Sequence, residues 1–326
     1  MSRLARIAFA LALTFAGFIS ATRAATANAI VAADGSAEFK TVQAAINAAP
    51  QVTSRDQPWV ILVKPGTYRE IVYIQREKRH IHLVGEDAAT TIITHQLNAS
   101  AIGPDGEKIG TFRTPTVQID ADDFTVENLT LENTAGPTGQ ALALRVDGDR
   151  VVFRHCRFLG WQDTIFINRG RQYFENCYIA GATDFIFGGA TAWFEACELH
   201  IAGNGYITAA STPPEAAYGY VFNRCRITAA KPDLKTFLGR PWRAHASTIF
   251  LHTEMASVVR SEGWHNWGKS EREQTVRYAE FASTGPGAAP DKRVAWAKPL
   301  TEKQAAEITA ETVLGGVDHW RPIARR

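Results

Sequence analysis

From Val60 onward the chain is a succession of short apolar runs, each closed by glycine, proline or charge; residues 60–63, 71–74 and 80–84 come first. Runs of that length and setting read as strands and turns. From Phe124 the pattern becomes a repeat, with six eight-residue segments in alignment at 124–131, 151–158, 172–179, 192–199, 220–227 and 248–255. Their third positions are Val126, Phe153, Phe174, Phe194, Phe222 and Phe250. The sixth are Leu129, Cys156, Cys177, Cys197, Cys225 and Thr253, and the eighth are Leu131, Phe158, Ile179, Leu199, Ile227 and Met255. Positions four, five and seven are mostly polar. Alternation between six and eight turns both side chains inward on one strand, while the third enters the core from across a bend. The segments start 27, 21, 20, 28 and 28 residues apart with no long helix between them. An irregular period in the twenties predicts an all-β, single-stranded right-handed parallel β-helix whose loops vary in length. The fixed leucine and asparagine frame of a leucine-rich repeat is missing.

The ends differ from the middle. Val42, Ala45, Ile46 and Ala49 fall at helical spacing before Pro50, predicting a helix over 39–49 that caps the open end of the apolar core. Near the C-terminus, 276–281 and 294–296 read as the last strands. Residues 301–314 read as a helix, with Thr301 as N-cap and Gly315-Gly316 at its end. The first 24 residues read as an export signal. Arg3 and Arg6 precede a run from Ile7 to Ile19 that is apolar apart from Thr14 and Gly17, and cleavage is expected after Ala24 or Ala27. That run is shorter than the roughly 20 residues a membrane span requires. No Ser/Gly-rich linker divides the remainder, so 25–326 reads as one domain.

Of the 326 residues, 45% are hydrophobic and 21% charged, enough to bury a large core. Removing Arg3, Arg6 and Arg23 with the signal takes the formal charge from +2 to −1. Electrostatics then give no argument for nucleic acid or an anionic membrane as partner. All four cysteines lie in the exported part, where disulfides persist. Their column admits two readings: stacked buried thiols, or a bridge between adjacent turns, Cys177–Cys197 first, since such turns bring Cα atoms within about 4.4–6.8 Å. Neither Cys-x-x-Cys nor paired-histidine spacing is present for a zinc site, and no metal or cofactor is expected.

The candidate chemistry sits where the repeat occurs twice in close succession, over 151–188. Asp163 and Asp184 each follow a repeat cysteine by seven residues. Stacked turns would bring the two carboxylates to about 4.8 Å, too close for both to ionise freely. A ladder of Asp and Asn without catalytic meaning is the alternative, because Asn204 has the same offset from Cys197. No Gly-x-Ser-x-Gly elbow, His-Glu-x-x-His, EF-hand or P-loop is present. Gln140 begins a segment one turn ahead and Gln162 directly precedes Asp163; their amides could donate to a developing oxyanion. Within 238–242, Arg240 and Trp242 supply a cation and a ring. An arginine bonded to one aspartate keeps it ionised while the other retains its proton, giving a base and an acid from like residues.

Gly66-Thr67-Tyr68-Arg69-Glu70, the segment from Gln140 to Arg145, Gly160-Trp161-Gln162-Asp163-Thr164, the segment from Asp184 to Gly188 and Leu238-Gly239-Arg240-Pro241-Trp242 resemble, in order, the five signature motifs of pectin methylesterases. The resemblance takes in nearly the whole chain after the signal, including 133–136 and 285–288, and looks like that of a bacterial secreted member. It implies a right-handed parallel β-helix that hydrolyses galacturonate methyl esters of homogalacturonan without a metal. On it, Asp184 is the nucleophile and Asp163 the acid that protonates methanol and then the base that activates water. Gln140 and Gln162 hold the oxyanion, Arg240 fixes Asp184, and Trp242 stacks on a sugar ring. Thr111, Phe166, Phe187 and Trp264 match substrate-lining positions. Bacterial members have a disulfide at the positions of Cys177 and Cys197, and the implied product is a secreted, monomeric enzyme. From the residues alone, a polysaccharide hydrolase or lyase stays open, since two carboxylates about 5 Å apart suit a retaining glycosidase. So do a carbohydrate-binding solenoid using its exposed aromatics and an esterase or thioesterase for another acyl group.

Overall fold

In the computed structural model, residues 27–322 are described, so the expected export signal lies outside the described residues. The six segments pair in the register read from the sequence. Val126, Phe153, Phe174, Phe194, Phe222 and Phe250 are successive partners in a ten-stranded parallel sheet. Leu131, Phe158, Ile179, Leu199, Ile227 and Met255 are successive partners in a second ladder. The chain is a right-handed parallel β-helix. The five phenylalanines at the third repeat position form one column, with ring centroids 4.7, 4.6, 4.4 and 4.5 Å apart and near-parallel planes. Each such pair adds about 0.5–1.5 kcal/mol beyond the area it buries.

The bend between the two ladders falls on the fifth position of every segment. Asn128, His155, Asn176, Ala196, Arg224 and His252 all have φ between 49 and 55°. One left-handed residue per turn reverses the side-chain alternation and sends the next strand off at an angle. Its cost of roughly 1–2 kcal/mol for a residue bearing a Cβ is offset by burial of the sixth and eighth side chains.

The sixth position carries a correction. Cys156, Cys177, Cys197 and Cys225 are all free and buried, so the expected Cys177–Cys197 bridge is absent. Each thiol makes the equivalent contact, to the carbonyl of the third residue of the preceding turn: Val126, Phe153, Phe174 and Phe194, at 3.4, 3.7, 3.6 and 3.4 Å. The thiols stack along the axis, each beside that of the next turn, as buried reduced groups. Burial pushes the thiols of Cys156, Cys177 and Cys197 well above their ordinary pKa, keeping them protonated. Thiol titration should therefore find four reactive groups in denaturant without reductant, and reductant should leave the melting temperature unchanged. A count of two would restore the bridge.

A helix at Val42–Ala48, N-capped by the Thr41 side chain, buries Val42, Ala45 and Ile46 over the first turns. It is shorter than expected because Phe39 pairs with Val31 as a bridge. The C-terminal helix is two, Glu302–Glu307 and Ala310–Leu314, because Ile308 is extended and Thr309 starts a second capping box. Residues 294–296 form a turn rather than a strand, while Arg277–Phe281 does close the ten-stranded sheet. Ala305, Ala310, Val313, Leu314 and Trp320 cover the outer face of that sheet at Val152, Tyr173, Trp193, Val221 and Ile249. Both of its faces are thus buried there, which leaves the groove for ligands to another wall of the solenoid.

That wall is a third ladder, Val72–Ile74, Val117–Ile119, Leu144–Val146 and Ile165–Ile167. It merges with the second ladder through two long strands, Tyr178–Gly188 and Glu198–Ala210, which run through both. Asp184 lies mid-strand on the first of these, at the corner.

Candidate active site

The two aspartates occupy the same corner in consecutive turns. Gln140, Gln162 and Thr183 are successive bridge partners, so Asp163 and Asp184, each one residue further on, stand side by side. The Asp163 amide donates to the Thr183 carbonyl at 3.0 Å. Both aspartates have left-handed backbone, φ 64° and 49°, a conformation Asp tolerates better than most residues. Asp163 is 8% exposed and Asp184 5%. Two carboxyl groups so buried need compensation, and only one has it from the protein.

Asp184 receives a bidentate grip from Arg240, Nε to Oδ1 at 2.9 Å and Nη2 to Oδ2 at 2.6 Å. The guanidinium is in turn stacked between two rings, with its carbon 3.9 Å from the Tyr206 centroid and 3.7 Å from that of Trp267. The Asp163 carboxyl has no protein hydrogen bond among the described residues. Burial, reinforced by the charge of Asp184 and only partly offset by Arg240, pushes Asp163 up to about 8. Burial also raises Asp184, opposed by the hydrogen bonds and charge of Arg240. The expected depression of Asp184 is thus outweighed by its desolvation, while the order of the two acids is the expected one. Near neutral pH the pair carries one proton, and it resides on Asp163.

Gln140 and Gln162, partly buried, carry side-chain amides with no protein hydrogen bond among the described residues. Both are therefore free to donate at this corner. Three residues past the aspartates, the outward-facing positions of the third ladder form a column. Arg145 pairs with Phe166 and Phe166 with Phe187, which pairs with Ala209. Phe166 and Phe187 stack at 4.7 Å, and Trp242 meets them edge-on at 6.4 and 5.8 Å. Trp242 is placed by its amide donating to the Ala210 carbonyl at 2.9 Å. Thr111 starts a short 3-10 helix, Thr111–Arg113, which brings Phe112 over Phe166 at 5.0 Å and to 6.4 Å from Trp242. Phe112 is exposed, as a sugar-stacking ring would be.

Two residues are not where the sequence suggests. Trp264 is 1% exposed, stacked on Tyr278 at 4.3 Å in the solenoid core, so it lines no groove. Its loop instead presents Trp267, three residues on. Asn204 does not continue the aspartate ladder. Gly181 pairs with Ile201 but Thr183 with Tyr206, a shift that expels Asn204 to the surface, where it accepts the Lys235 amide at 2.7 Å. The same shift delivers Tyr206 to Arg240. Phe112, Tyr206 and Trp267 went unread because none lies at a repeat position; the one available signal was a second tryptophan in the 263–268 loop.

A solenoid wall presenting an arginine-held carboxylate beside a protonated one, next to an aromatic groove, defines a carbohydrate-active hydrolase of the parallel β-helix class. The comparisons make the class specific. The pectinesterase family signature matches residues 28–317. Pectinesterase 31 of Arabidopsis thaliana is 39% identical over 284 residues, 85% of this chain and 89% of the relative. Pectin methylesterase from carrot superposes with a TM-score of 0.83 at 34% identity, covering 90% of this chain and 95% of the carrot chain. A pectin methylesterase solved in complex with a hexasaccharide gives 0.80 at 32%, covering 93% and 100%. The chain belongs to the pectinesterase family and is a carboxylic ester hydrolase. The expected bacterial character has no support from these relatives, of which the named ones are plant proteins.

Proposed function

We propose that this pectinesterase demethylates homogalacturonan through an acyl-enzyme on Asp184, with Asp163 as the proton carrier. The observation that carries this reading is the asymmetry of the pair: Asp184 gripped by Arg240, Asp163 unpartnered and raised to about 8. Asp184 attacks the ester carbonyl, and the electron pair moves onto the carbonyl oxygen, where the Gln140 and Gln162 amides receive it. Collapse expels methoxide as the Asp163 proton reaches it, leaving a mixed anhydride and methanol. Asp163, now a carboxylate, takes a proton from water that attacks the anhydride. Hydrolysis frees the galacturonate and Asp184, with Asp163 reprotonated. Each residue ends in its starting state.

The groove rings supply binding rather than chemistry in this reading. Trp242→Ala and Phe112→Ala should each raise KM by about tenfold with kcat within a factor of two or three, since a stacked ring binds ground and transition states alike. A fall in kcat at unchanged KM would place them at the reacting centre instead. Thr111 contributes by positioning Phe112. In this reading the enzyme works as a secreted monomer without a metal or cofactor. No helix among the described residues is long and apolar enough to cross a membrane. The deciding assay follows methanol, new reducing ends and unsaturated products together on highly methylated pectin. Methanol alone is expected, and chain cleavage without methanol would replace this reading with a glycosidase or lyase.

A further inference from the structure

We propose that Tyr206 and Trp267 are positioning residues of the reaction, clamping the Arg240 guanidinium so that its Nε–Nη2 edge stays on Asp184. The clamp rests on the assignment of Asp184 as the attacking carboxylate, and it assigns a task to a loop that the reaction scheme otherwise leaves idle. A free arginine side chain has much rotamer freedom to lose on being held in one place, and Arg240 is partly exposed to solvent. Two rings at 3.9 and 3.7 Å from the guanidinium carbon, one on each face, leave only its edge for hydrogen bonding. Each face contact is a favourable attraction between the cation and the ring. Swinging the guanidinium away from Asp184 would forfeit both contacts.

The 263–268 loop is built to keep Trp267 in place. Its first tryptophan, Trp264, is a buried anchor on Tyr278. Gly239, the residue before Arg240, pairs with Trp264 and accepts the His265 amide at 3.1 Å, so the loop is tied to the strand that carries the arginine. Trp267 has φ 62°, a left-handed conformation that is unfavourable for a residue of this size. Its amide donates to His265 Nδ1 at 3.0 Å, and Asn266 braces the turn by accepting from the Gly268 amide at 2.8 Å and donating to Glu273 at 2.7 Å. Burial and the nearby Arg240 lower the His265 pKa, which keeps Nδ1 free to accept. Opposite, Tyr206 stacks on Phe237 at 5.4 Å. These bonds hold the left-handed Trp267 with its ring against the arginine.

The test compares wild type with Trp267→Ala, Trp267→Phe and Tyr206→Leu in methanol release across pH, with thermal melts and a carbon-13 NMR titration of Asp184. Loosening Arg240 leaves Asp184 with the burial that raises its pKa and without the one neighbour that lowers it. Trp267→Ala should lower kcat about 10- to 100-fold, hold KM within threefold, and move the acid limb and the Asp184 titration to higher pH. Tyr206→Leu should shift both in the same direction, and Trp267→Phe should restore them. If Trp267→Ala does not fold, Tyr206→Leu decides. A rise in KM with unmoved acid limb and Asp184 titration would make these rings sugar contacts and overturn the clamp. So would a phenylalanine variant as impaired as the alanine one. The titration reads the clamp without turnover, so an Asp184→Asn enzyme that stayed active would refute the reaction scheme while leaving the clamp's own result to stand or fall.

Discussion

Asp184→Asn should abolish methanol release, by about 10⁴-fold or more, while the protein still binds methylated pectin. A nucleophile cannot be replaced by its amide, because the neutral oxygen lacks the electron pair availability of a carboxylate, and losses of this size accompany removal of an attacking group. The side chain keeps its shape, and its amide oxygen can still accept one of the two hydrogen bonds from Arg240. The groove rings that hold the polysaccharide are untouched. Binding within a few-fold of wild type beside lost turnover is the expected pattern. Turnover within tenfold of wild type would mean that Asp184 is not the attacking group.

The second large effect belongs to Asp163. Asp163→Asn should lower kcat by about 10²- to 10⁴-fold, the span of general acid–base catalysis, because asparagine can neither protonate methoxide nor accept a proton from water. Wild-type kcat/KM should fall above pH about 8 as Asp163 loses its proton. On the acid side it should fall as Asp184 gains one. Stability follows from the same shift. The folded pKa of Asp163 lies above its unfolded value near 3.8, so the folded state holds the proton more tightly. The associated stability is present below pH 3.8 and is lost as pH rises through about 8. Asp163→Asn, which never ionises, should therefore melt higher than wild type at pH 8 by several degrees, an inactive but more stable enzyme. A variant that was less stable at that pH would mean Asp163 is not carrying an unfavourable buried charge.

The repeat was legible because the solenoid imposes one requirement on every turn: an apolar side chain of suitable shape at the third, sixth and eighth positions. Phe153 to Phe250 and Cys156 to Cys225 record that requirement directly. The bend was not legible in detail, since Asn, His, Ala and Arg all fill its left-handed position, and no residue type announces it. Asp163, Asp184, Gln162 and Arg240 could be found because the carboxylates share an offset and the motifs stand in order. What escaped lies where the period breaks. Tyr206 reaches Arg240 only through the shift between Gly181 and Thr183, which an even spacing of repeats would not contain. Trp264 and Trp267 share a loop without periodicity, so nothing in the order of residues says which ring is core and which is clamp. The cysteines posed the opposite difficulty: proximity was readable, but stacked thiols and a bridged pair leave the same pattern in the sequence.

Covalent attack by Asp184 is most directly tested by trapping its product. Hydroxylamine added at neutral pH to the enzyme turning over on highly methylated pectin should intercept the mixed anhydride faster than it reacts with the methyl ester. Galacturonyl hydroxamate should then accumulate in proportion to methanol with wild type and stay at background with Asp184→Asn. Methanol release by the wild type with hydroxamate no higher than background would mean that water attacks the ester directly and that no acyl-enzyme forms.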